Sequence, residues 1–136
     1  MKQMSRERGI LWLSLEDQDC ENLQRTIPQV FARAAEHFHV TLQYNVPLTE
    51  EIAKFLWKES FPVQVTENCF DHRIQAVRVE LPELFKSLCQ NANPHMTVSM
   101  APGARPVLSN IMLDSDHVEE PLRATLLFRA QFHRFS

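Results

Sequence analysis

Phe38-His39-Val40-Thr41-Leu42-Gln43-Tyr44 alternates apolar and polar residues along its whole length. Successive side chains on a strand point to opposite sides, so this rhythm reads as a strand with one buried face. Phe38, Val40, Leu42 and Tyr44 are expected in a core, and His39, Thr41 and Gln43 on the other face. A later segment, Pro94-His95-Met96-Thr97-Val98-Ser99-Met100, has the same design. Met96, Val98 and Met100 form its apolar face, and His95, Thr97 and Ser99 the polar one. His, then Thr, then a small or amide polar group recurs at alternate positions in both segments. This is the internal repeat around which the rest of the chain is read.

Working outward, Ile10–Leu15 reads as a buried strand and Asp17–Arg25 as a short helix. Pro28, tolerated in a first turn, predicts a helical segment to Glu36. Thr49 can cap a helix carrying Ile52, Phe55 and Leu56 on one face, with Trp57 behind them as a further core residue. Phe61–Cys69 and Arg73–Glu80 are expected as strands around a turn at Asp71-His72, and Pro82–Gln90 as a helix. Asn93-Pro94 breaks the chain before the second motif. Ala101–Asn110, with two prolines and a glycine, reads as a loop, and Arg123–Phe132 as a final strand. The sum is an α+β domain.

The 136 residues suit one domain, 1–136, with a real core. The net charge of −3 argues against a long nucleic-acid surface held by charge, yet leaves open a nucleotide-sized ligand in one cleft. With only Gly9 and Gly103, the chain has no glycine-rich phosphate loop. Cys20, Cys69 and Cys89 form no CxxC pair, which fits free thiols in a reducing compartment. No apolar run approaches the ~20 residues of a membrane span. The expectation is a cytoplasmic protein without a membrane partner.

Cleaving a phosphodiester requires one proton to leave the attacking oxygen and another to reach the departing one. Two imidazoles on opposite sides of one phosphorus can do both, since a pKa of about 6.5 allows one to be neutral and one charged near neutral pH. The Thr hydroxyls, on the same faces, can donate to the non-bridging oxygens. This scheme needs no metal and no cofactor. A zinc site from His37, His39 and His95 is the metal alternative, weakened because no carboxylate or thiol accompanies them at ligand-like spacing.

With these motifs, and an apolar strand ahead of the first, the chain resembles the 2H phosphoesterase superfamily. The resemblance is carried by His39, Thr41, His95 and Thr97, with Pro94 before the second motif. It implies a bilobal α+β fold: two pseudo-symmetric antiparallel sheet lobes flanking a central cleft, with helices outside. It also implies His39, Thr41, His95 and Thr97 as catalytic residues. The substrate would be a nucleotide or short oligonucleotide: an RNA 2′,3′-cyclic phosphate, a 2′-5′ linkage or a cyclic oligonucleotide. The rival reading is a module that binds a nucleotide or RNA end in the same cleft without turning it over.

Gln43 and Ser99, two positions beyond each threonine, extend the polar faces and are candidates for substrate binding, as is Arg105, whose fork geometry suits phosphate. Arg73 is a second phosphate candidate. Trp12, Tyr44 and Phe132 could stack on a base, although alternation assigns Tyr44 to the core. Ser109-Asn110 reads as a cap, with contact to a ribose as the alternative. His72, His117 and the pair Glu119-Glu120 are expected to be solvated, and His133, near the end of the last strand, is expected at the surface, with approach to the cleft as the alternative.

Overall fold

The computed structural model describes residues 7–56 and 59–135. Trp57, expected in the core, lies outside the described residues. Among the described residues, seven strands, four α-helices and a 3-10 turn at Asp17–Asp19 make an α+β fold: β1 (Arg8–Leu15), α1 (Cys20–Thr26), β2 (Arg33–Ala34), β3 (His39–Pro47), α2 (Glu50–Phe55), β4 (Phe61–Phe70), β5 (Ile74–Glu80), α3 (Glu83–Lys86), β6 (His95–Met100), α4 (Leu108–Leu113) and β7 (Val118–Arg134).

Every strand pairing is antiparallel. The sheet order is β2-β6-β3-β1-β7-β4-β5, and β5 returns to pair with β6, so the sheet closes on itself. The inward side chains of six strands, including Leu11, Val40, Val65, Val77, Met96 and Phe128, build the main core with α1, α2 and α3. A smaller core lies where Met112 and Leu113 of α4 meet Ile74 and Ala76 of β5. Thr49 caps α2 as expected, its hydroxyl accepting from the Ile52 amide at 3.1 Å.

Three expectations give way to tertiary contacts. The stretch from Pro28 to Glu36 is extended and includes β2. Its backbone is taken up by distant side chains: Gln75 accepts from the Val30 amide and donates to the Pro28 carbonyl, and Ser99 accepts from the Phe31 amide. The loop expected over 101–110 ends in α4, which starts at Leu108 behind Pro106. The last strand is 17 residues rather than ten, because β7 pairs with β1 at one end and β4 at the other. Within it, Pro121 is accommodated beside a register irregularity opposite Val65/Glu67. Near the start of β1, Gly9 runs against β7, where an added Cβ would sit 2.2 Å from the His133 carbonyl oxygen.

Candidate active site

The two motifs lie on neighbouring strands. β3 and β6 meet through one antiparallel pair, Val40 with Met96, both fully buried. Because side chains alternate, the residues on either side of each buried apolar residue face the other way. The antiparallel direction turns His39 toward Thr97 and Thr41 toward His95. All four line one cleft of about 820 Å³. α4 forms a wall of it: Ser109, Met112 and Leu113 are buried, while Val107, Asn110 and Asp114, spaced as one helical face, line the cleft. The loop from Gln90 to Asn93 completes the rim and is tied to α4. The Asn91 amide donates to Asn110 at 3.1 Å, and the Asn93 amide to Asp114 at 2.8 Å.

Each histidine is held in the same way. His39 Nδ1 lies 3.1 Å from the His37 carbonyl oxygen and His95 Nδ1 lies 2.7 Å from that of Asn93, in each case two residues upstream. A carbonyl oxygen only accepts, so Nδ1 carries the hydrogen and Nε2 of each neutral ring is left with its lone pair. His39 has a further partner, the His37 ring, with the two Nδ1 atoms 3.0 Å apart. Since His39 donates, His37 accepts there and carries its own hydrogen on Nε2, which donates to the Ser14 hydroxyl at 2.9 Å. Trp12 packs against His37 and His39 with centroids 4.6 and 4.1 Å away, and His133 stacks on it at 4.7 Å. Trp12 thus meets three imidazole rings, and exposed His133 meets only its indole.

Burial sets the protonation of the pair. It pushes His39 down to about 4, helped by the neighbouring His37 charge. It also lowers His95, with Arg78 adding to the effect and the hydrogen bond to Asn93 opposing it. Both shifts favour the neutral rings at pH 7. A negative charge placed between them would raise both.

The threonines differ. Thr97 Oγ1 is 2.8 Å from the hydroxyl of Ser109, which is fully buried on α4. Sequence reasoning read Ser109 as a cap; the signal that could have found it is a lone hydroxyl on the apolar face Ser109, Met112, Leu113. Asn93 was also missed. Its carbonyl holds His95, and its side chain accepts from Arg78 at 2.8 Å while donating to Asp114.

The three candidate substrate-binding residues are not gathered with the motif residues. Gln43 donates to the Leu88 carbonyl at 2.9 Å and does not line the cleft. Ser99 is fully buried and bonded to Gln75 at 2.5 Å. Arg105 is exposed on the turn before α4 and is not among the cleft's lining. Arg73 is exposed beside the Asp71 turn, where the Asp71 carboxylate accepts from the Arg73 and Ile74 amides. Glu119 is not simply solvated: Arg78 at 3.0 Å holds its carboxyl down at about 2, and His117 sits 3.3 Å from it. Tyr44, expected in the core, is 67% exposed and lines the cleft.

Among the described residues, the ligand-type side chains whose donor atoms converge are Cys69, His117 and Glu119. None of them lines the cleft. No helix among the described residues is long and apolar enough to cross a membrane.

A sequence model of the fungal tRNA ligase phosphodiesterase domain matches residues 44–134, about two thirds of the chain. The chain belongs to this phosphodiesterase domain family, and through it to the 2H phosphoesterases. The matched span contains the second motif and begins after the first, so His39 and Thr41 are placed by geometry. Among solved structures, one described as a fungal RNA kinase is similar with a TM-score of 0.58 and 14% identity. The similarity covers 95% of this chain and 46% of that one, so this chain spans less than half of its neighbour's length. At that identity the likeness speaks for the fold alone. No curated protein matches the chain in sequence.

Proposed function

We propose that this member of the family is a metal-independent phosphodiesterase acting on a nucleotide phosphodiester between His39 and His95. One Nε2 takes the proton of a water or a ribose hydroxyl, and the other delivers a proton to the departing oxygen. Thr41 and Thr97 donate to the non-bridging oxygens. The observation that carries the reading is the matched pair: two histidines in one cleft, each oriented by a carbonyl two residues upstream so that Nε2 is the free nitrogen. Of the three substrate classes, a 2′,3′-cyclic phosphate at an RNA end fits best with a family named for a tRNA ligase phosphodiesterase. The bilobal reading belongs with this proposal. β3 and β6 are the equivalent strands of two halves, and their single-pair contact supports a division there. The free thiols suit a reducing compartment such as the cytoplasm.

The test is turnover of nucleoside 2′,3′-cyclic phosphates by His39→Ala and His95→Ala. Each should lose roughly a hundredfold or more while keeping its far-UV spectrum. Full turnover by the double variant would end the reading. Tight binding by the unmodified protein, with ligand recovered unchanged after long incubation, would select the binding module instead.

A further inference from the structure

Strand alternation assigns Tyr44 to the apolar face of Phe38, Val40 and Leu42, yet its ring stands in the cleft. The cause is local. The β1–β3 register slips between Leu11–Gln43 and Gly9–Val46, so β3 carries an extra residue there. Asn45 takes up the turn in the left-handed region, at φ 55°. Arg8 secures it, Nε donating to the Asn45 side chain at 2.9 Å and Nη2 to its carbonyl. Phe135 meets the Tyr44 ring edge-on at 5.6 Å. A bulge, a left-handed residue and two hydrogen bonds thus hold a large aromatic side chain out of the core. Bulges recur where a side chain must be re-aimed beside a site.

The cleft's charge narrows what that ring can meet. Among the described residues, no lysine or arginine lines the cleft. Its capacity for negative charge rests on the two imidazoles and the hydroxyl groups, which suits one singly charged diester better than a run of phosphates. The one acidic group in the lining, Asp114, already accepts from the Asn93 amide; what remains nearby on the rim for recognition is neutral, the Tyr44 ring and the amides of Gln90 and Asn91. Tyr44 lies three strand residues beyond Thr41, about 10 Å of backbone, which a single nucleoside can bridge.

We propose that Tyr44 is the stacking platform for the base of the nucleoside whose phosphodiester sits between His39 and His95. The site would then take a nucleoside cyclic phosphate, with little preference among bases because every base offers a π-face. This rests on the phosphodiesterase reading.

The experiment compares a nucleoside 2′,3′-cyclic phosphate with glycerol 1,2-cyclic phosphate, which has the same five-membered diester and no base. The unmodified protein should favour the nucleoside in KM by roughly tenfold or more. In Tyr44→Ala that ratio should collapse toward one, while Tyr44→Phe and Tyr44→Trp retain it. A ratio near one in the unmodified protein, or a ratio unchanged by Tyr44→Ala, overturns the platform. A purely structural role predicts that both substrates suffer alike in Tyr44→Ala, which also overturns it. If neither compound is turned over, the phosphodiesterase reading falls by itself. The same ratio taken from calorimetric binding then decides Tyr44, equal ratios in the unmodified protein and Tyr44→Ala overturning it.

Discussion

His39→Gln should flatten the acid limb of the protein's stability. The imidazole of His39 is pushed from 6.5 to about 4 by burial against Trp12 and by the His37 charge. In the unfolded chain the ring takes up a proton below about 6.5; in the folded chain it resists until about 4. Its contribution to stability is thus fully present above 6.5 and is lost as the pH falls through that window. At 1.36 kcal/mol per pH unit the whole window caps the loss at about 3 kcal/mol. Partial exposure and solvent screening bring the share expected between pH 7 and 4.5 to about 2 kcal/mol. His37 and His95, also lowered, add losses of the same sign. Glu119, held at about 2, loses its contribution mostly below 4.5 and so outside the comparison. Urea unfolding at pH 7 and 4.5 for both proteins is the assay. The unmodified protein should lose about 2 kcal/mol more than His39→Gln over that interval. Equal losses would refute the reasoning.

Ser109→Ala removes the buried partner of Thr97; kcat for a nucleoside 2′,3′-cyclic phosphate should fall roughly tenfold with KM nearly constant, for a stability cost of about 1 kcal/mol. Arg78→Met removes the donor to the Asn93 side-chain oxygen, leaving only its bond to Asp114, and loosens the carbonyl that orients His95, so kcat should drop several-fold, while a larger effect on KM would point to substrate contact instead. EDTA should leave turnover unchanged, and loss restored by zinc would favour a metal mechanism at the histidines.

The polar faces of the two motif strands were legible because period-two alternation survives in both, and Val40 and Met96 are as buried as it requires. Legibility stopped where one residue breaks the period. At Tyr44 a bulge reverses the expected face, and nothing in the local sequence marks it except Asn45, a residue that tolerates the left-handed region. α4 was hidden for a different reason. Pro102, Gly103 and Pro106 read as loop punctuation, and six residues are too few for a helical period to stand out. The path of 28–36 depends on partners 45 and 68 residues away, Gln75 and Ser99, which local propensity cannot anticipate. The three substrate-binding candidates came from strand parity and residue type. Parity cannot say whether a neighbouring loop will claim the side chain, as the Leu88 carbonyl claims Gln43.

Closure of the sheet bears on how these variants can be handled. A strand with an unpaired flank invites a strand from another molecule, the usual start of aggregation in sheet proteins. Among the described residues every strand except β2 has neighbours on both sides, and β2 is two residues long. The thin place is the Val40–Met96 pair, where β3 and β6 share one rung. A substitution that parted them would uncover two long flanks at once, so turbidity on concentration would signal damage there before any change in unfolding midpoint.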